Sequence, residues 1–239
     1  MTLAAATVSP ALALRNAKPG AGLKAGTSAP RRTQAERSAS TRTRLVAAAI
    51  ETLNRLGYAA TSTVLVADQA RVSRGAMLHQ FPSKALLMAA VVEESYAEAI
   101  EAYRQATASE PEPVRQLQCV AEAAWERFRS PGGIAQTEVW MATRSDPELA
   151  AVVLPIHDAM FEQSKNSQAD RFRACGIDDR AMSDGLLYHN VALLRGLALE
   201  FVLGTPEAAL RPAVDQMKHH LAAIVAGANP GKLCSGASS

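Results

Sequence analysis

Apolar residues recur at intervals of three and four along most of this chain, and no stretch shows the strict alternation or β-branched clustering of a strand. Between Thr41 and Tyr58, Leu45, Ala49, Leu53 and Leu56 share one helical stripe, and Gly57 sits where a left-handed C-terminal cap is wanted. Thr63 is placed to cap a short second helix in which Val66 and Ala70 lie four apart. Ser73 is placed to cap a third, in which Met77 and Phe81 repeat at the same interval. Ser83 caps a long helix running to about residue 106, which Pro111 and Pro113 break. Further helices are predicted over 113–129, 134–144, 147–174, 180–203 and 206–226, punctuated by Pro131-Gly132-Gly133, Asp146-Pro147, Gly176 and Gly204-Thr205-Pro206. The expected fold is all-α, a small three-helix N-terminal head followed by a larger helical bundle.

The segment from Thr61 to Lys84 carries the first functional signal. If Met77 and Phe81 turn inward, Arg74, Gly75, Leu78 and His79 point outward, leaving one helix face without large side chains apart from Leu78. A helix-turn-helix needs that arrangement to enter a DNA major groove. The matching residues are Arg44 to Ala49, Leu53, Gly57-Tyr58, Thr61 to Thr63, Val66-Ala67, Val72 to Gly75 and His79 to Lys84. In their order and spacing they resemble the TetR family of bacterial transcriptional regulators, from Thr41 to about Ala90. The resemblance implies a homodimeric DNA-binding regulator, more often a repressor, released from double-stranded operator DNA by a small-molecule effector, with no cofactor. It also implies DNA contacts at Thr63, Arg74, Gly75, Ala76, Leu78, His79 and Lys84, with Lys84 reaching a phosphate and Arg74 and Ala76 at base edges. Two positions depart from the family pattern: Arg71 stands where the turn usually has glycine, and Leu78 where tyrosine is common. They leave open a helical dimer that acts through protein partners instead of DNA.

Charge sharpens the division of the chain. The net charge of +2 conceals twelve Lys/Arg against three Asp/Glu in residues 1–86, and thirteen against twenty in the remainder. A basic end on an acidic body suits a polyanion-binding head joined to a separate regulatory module. Residues 1–39 lack periodicity and large apolar residues and are expected to be a disordered basic extension. The helix-turn-helix domain is then 40–87, the ligand-binding and dimerisation bundle 88–228, and the flexible tail 229–239. No run of eighteen uncharged apolar residues suggests a membrane span, and a cytoplasmic location is expected.

Little in the sequence points to catalysis. There is no nucleophile elbow, phosphate-cradling glycine loop or HExxH, and Cys119, Cys175 and Cys234 form no CxxC. His157-Asp158 and His219-His220 are sequence neighbours, so on a helix their side chains diverge by about 100° and form neither a dyad nor a shared metal site. An enzyme is therefore the weaker reading. In the bundle, Trp125, Phe128, Trp140, Met141, Phe161 and Tyr188 are candidate lining of an apolar ligand site, and Arg144, His157, His189 and Asn190 are candidate polar groups within it. Broad apolar stripes on the last two helices, including Leu194 and Leu221, are expected to dimerise.

Overall fold

The computed structural model describes residues 33–228. Nine helices occur among the described residues: α1 Gln34–Ala60, α2 Thr63–Gln69, α3 Arg74–Gln80, α4 Lys84–Thr107, α5 Pro113–Arg129, α6 Pro131–Ala142, α7 Pro147–Ala174, α8 Arg180–Val202 and α9 Glu207–Ala228. Local chemistry fixes most boundaries. Ser73, Ser83, Ser130, Asp146 and Asp179 each accept a hydrogen bond from a backbone N–H in the first turn of α3, α4, α6, α7 and α8. Proline occupies the first turn of α5, α6 and α7, where its missing N–H costs nothing.

Several boundaries differ from expectation. α1 begins at Gln34, because Thr33 and Glu36 form a reciprocal capping box, so residues 34–39 are helical instead of disordered. Residues 1–32 and 229–239, including Cys234, lie outside the described residues. The cap of α2 is Ser62, whose hydroxyl accepts from Leu65 N–H, and Thr63 is the first helical residue. Gly57 takes φ +74° and ψ 174°, open essentially to glycine alone, and breaks α1 before a last turn at Tyr58–Ala60. Pro131-Gly132-Gly133 forms the first turn of α6 instead of a break. A Cβ at Gly133 would lie 2.2 Å from the Arg127 carbonyl oxygen, so glycine lets α6 start directly against the end of α5.

Two apolar cores share the bundle. The first joins Leu45, Leu53, Val66, Met77, Phe81 and Val91 to Val139, Leu149 and Val153, so the head is fused to α6 and the start of α7. The second packs Leu117, Trp125, Phe172, Leu194, Val214 and Leu221 between α5, α7, α8 and α9. Glu122 of α5 ties this end together, accepting from Arg211 Nη1 at 2.5 Å and Lys218 Nζ at 2.9 Å of α9.

Candidate functional site

The first candidate site is the outer face of the head. Val66 and Ala70 of the α2 segment and Met77 and Phe81 of the α3 segment are buried against α1 and α4, as the helical spacing requires. Arg74, Gly75, Leu78 and His79 are left exposed on α3, Ala76 is half-buried, and Thr63 is half-buried at the start of α2. A Cβ at Gly75 would meet nothing within 4 Å, so this face can approach another surface closely. Arg71 adopts φ +53° in the turn between the two helices. Its carbonyl and that of Ala70 both accept from the Arg44 guanidinium, which staples the turn to α1.

Lys84 departs from the expectation of a free phosphate-reaching cation. Its ammonium donates to the Tyr58 carbonyl at 2.8 Å and lies 3.7 Å from the centre of the Tyr58 ring. Burial, the largest cause, lowers its pKa, partly countered by Asp146. The Tyr58 hydroxyl donates to Asp146 at 2.6 Å, and the Tyr58 N–H donates to Glu138 at 3.0 Å. Asp146 also caps α7 through Leu149 N–H. Tyr58 thus joins the end of α1 to α4, α6 and the start of α7, and its phenol pKa is raised by burial and by Asp146.

The second candidate site is a cavity of about 190 Å³ enclosed by α4 to α9. Four of the ten sequence-predicted residues line it: Phe128, Trp140, Phe161 and Asn190. Trp125 does not; it is fully buried in the second core with Arg129 beside its ring. Met141 and Arg144 face outward near the end of α6, and His189 is exposed with its ring 6.2 Å from that of His220. His157 and Tyr188 border an open cleft that shares Phe161, Val191 and Arg195 with the cavity wall. There an aromatic ladder runs from Tyr96 through Trp140, His157 and Phe161 to Tyr188, with ring centres 4.9–6.2 Å apart. Met141, Arg144, His189 and Trp125 look like their neighbours in sequence, and only the phase of each helix decides which way they face.

Apart from Asn190, the cavity's polar groups were not among the residues expected from the sequence. Arg127, Arg171, Arg195, Tyr96, Tyr103 and Gln136 all line it. Arg127 donates to the Ser95 carbonyl at 3.1 Å and to Gln136 Oε1 at 2.6 Å. Arg171 donates to the Ser167 carbonyl at 3.3 Å, and Arg195 stacks 4.5 Å from the Trp140 ring centre. Burial lowers the pKa of all three guanidinium groups, though none leaves the charged state near neutral pH. Burial pushes the Tyr96 phenol up to about 12. The Tyr96 hydroxyl is paired with His157 Nδ1 at 2.9 Å, and His157 is held below its ordinary pKa by burial and then by Arg195. One signal was present in the sequence: Arg195 is the lone cation in the apolar run from Val191 to Leu199.

No helix among the described residues is long and apolar enough to cross a membrane. Residues 45–91 match the model of the tetR family of bacterial regulatory proteins. The HTH-type transcriptional regulator CymR of Pseudomonas putida is 35% identical over 119 residues, 50% of this chain and 59% of that protein, so the match spans less than two thirds of the relative. A transcriptional regulator from Rhodococcus sp. Rha1 has a similar structure, with TM-score 0.60 and 21% identity over 75% of this chain and 95% of that one. So has a transcriptional regulator from Saccharomonospora viridis in complex with choline, with TM-score 0.60 and 17% identity over 78% of this chain and 96% of that one.

Proposed function

We propose that this chain is a member of the TetR family of bacterial regulatory proteins and a dimeric cytoplasmic repressor released from operator DNA by a small molecule, a reading supported by its helix-turn-helix head, where residues 45–91 match that family. The observation that carries the DNA-binding half is the α3 face. Arg74, Gly75, Leu78 and His79 are exposed together on a short helix whose opposite side is buried, with Arg71 exposed in the turn before it. Arg74 at the start of α3 reads base edges, and Leu78 offers apolar contact to a thymine methyl. Thr63 at the start of α2 meets a phosphate. Lys84 serves chiefly the Tyr58 joint, with any phosphate contact made by its remaining protons.

Dimerisation uses the outer faces of α8 and α9. Leu194 and Leu221 are buried within one subunit, whereas Leu199, Val202 and Leu203 are 55–71% exposed at the end of α8. Two copies related by a two-fold axis would present two α3 helices to successive major grooves.

The effector site is the cavity, a reading supported by its aromatic lining. Two helices connect it to the head. α6 carries Gln136 and Trp140 in the cavity wall and Glu138 on Tyr58 N–H. α4 carries Tyr96 and Tyr103 in the wall and Lys84 on the Tyr58 carbonyl. A ligand that displaces Gln136 or Trp140 therefore shifts α6 against Tyr58 and changes the separation of the heads, by no more than its differential affinity for the two arrangements. The test follows one compound through three readouts. Operator release, Trp140 fluorescence in a Trp125→Phe protein, and a rise in melting temperature should share one concentration dependence. Release with Trp140 silent would place the effector elsewhere.

A further inference from the structure

The cavity is built to receive negative charge. Arg127, Arg171 and Arg195 line it, and among the described residues no aspartate or glutamate does. None of the three takes part in an ion pair within 4 Å among the described residues. The carboxylates that act on them stand outside the lining: Glu98 on Arg127 and Asp170 on Arg171. Asp158 and Glu162 border the outer cleft on the other side of Arg195. Arg127 is buried and Arg171 and Arg195 are half-buried, and guanidinium groups withdrawn from water without close counter-ions are costly unless something compensates them.

A second, independent observation points the same way. Arg195 Nε, Gln136 Nε2 and Trp140 Nε1 are buried and have no hydrogen-bond partner among the described residues. Gln136 is only 4% exposed. All three atoms are donors, and the residues that carry them are neighbours. Gln136 and Trp140 stand four apart on α6, Arg195 stacks on the Trp140 ring, and Arg127 fixes the other end of the Gln136 amide. A neutral carbonyl offers one acceptor atom; a carboxylate offers two oxygens with about four lone-pair sites and pairs bidentately with arginine. Phe128, Phe161, Leu117 and Leu194 make one part of the wall apolar, while Gln163, Ser164, Ser167, Gln168 and Asn190 add uncharged polar groups elsewhere.

We propose that the effector is a small amphiphilic organic acid, its carboxylate held by Arg195, Gln136 and Trp140 with Arg127 behind them, and its hydrocarbon or aryl body lying against the apolar wall. The inference rests on the cavity being the effector site. Arg171, beyond Tyr103, adds positive potential and discriminates against amines.

The test is a matched panel on the full chain at neutral pH: 3-phenylpropanoate, 2-naphthoate and octanoate, each against the alcohol, amide and amine of the same skeleton, with phenyl phosphate as a further arm. At least one acid should raise the melting temperature and change Trp140 fluorescence in the Trp125→Phe protein, binding about tenfold or more tightly than its alcohol and amide, as loss of a charged pairing at a buried site implies. Arg195→Gln should abolish that preference without lowering the melting temperature of the unliganded protein. Binding confined to alcohols, amides or amines overturns the acid assignment and leaves the effector cavity standing. A preference for phenyl phosphate, or an acid preference intact in both Arg195→Gln and Arg127→Gln, also overturns it. Silence from every compound overturns the acid assignment and the effector reading together.

Discussion

The Arg44 guanidinium donates to the main-chain carbonyl of Arg71 at 2.9 Å, so an arginine of α1 holds the turn in which another arginine is strained. Arg71 has the only positive φ outside glycine among the described residues, and its carbonyl and that of Ala70 converge on Arg44. The left-handed conformation costs a non-glycine residue about 1 kcal/mol. Charge-assisted hydrogen bonds from an exposed side chain offset a comparable amount.

Arg71→Gly should therefore stabilise the protein by about 1 kcal/mol in urea unfolding, since glycine adopts the turn without a Cβ penalty. Arg44→Ala should destabilise it by about 1 kcal/mol and weaken DNA binding, because α2 and α3 lose their clamp. No change in either midpoint would mean that the turn is neither strained nor clamped.

Arg74 and Lys84 should separate recognition from coupling. Arg74→Ala leaves the melting temperature unchanged, because the side chain is exposed, and costs about 1–3 kcal/mol on the preferred sequence but less on random duplex. Lys84→Met removes the bond to the Tyr58 carbonyl and the contact with its ring. It should lower the melting temperature and weaken the link between ligand binding and operator release. A Lys84→Met protein of wild-type stability and wild-type release would remove the Tyr58 joint from the mechanism.

Assembly is tested at exposed positions instead of buried ones. The double variant Leu199→Glu, Leu203→Glu should sediment as a folded monomer with wild-type helicity and much weaker operator binding. Leu194→Glu, at 2% exposure, should unfold the bundle instead. A dimer that survives the double variant would move the interface off this face.

His157 sets a dependence on pH. Its folded-state pKa lies below the ordinary 6.5, because burial and then Arg195 disfavour the charged ring. The unfolded chain thus binds the proton more readily, and the stability present above the unfolded value is lost as pH falls from about 6.5 through the folded pKa. His157→Gln should flatten that acid-side slope in thermal melts between pH 7.5 and 5.5. An unchanged slope would assign it to other groups.

The helices and the exposed face of α3 were legible in the sequence because they rest on local rules: serine caps, apolar spacing of four, and proline in first turns. Val66, Met77 and Phe81 lie where their spacing puts them. The cavity was only partly legible. Phe128, Trp140, Phe161 and Asn190 were found, but Trp125 fills the core, Arg127 is a buried charge whose sequence neighbourhood looks like ordinary helix surface, and the half-buried Arg195 stands out only as a lone cation in an apolar run. Their role depends on which face of α5 and α8 meets α4 and α6, a packing choice made between segments far apart in the chain. Similarly, Lys84 was read as a free cation because nothing local announces that Gly57 turns the Tyr58 carbonyl toward it.

Operator selection with the purified full-length chain tests the central claim most directly. Random duplexes retained at moderate salt should converge on an inverted repeat whose half-sites are centred about 34–36 Å apart, one turn of the double helix, or a multiple of that spacing. Affinity for that repeat should fall steeply with salt, and Arg74→Ala should blur the selected bases. Failure to enrich any sequence, or enrichment of a site without two-fold symmetry, would contradict the account.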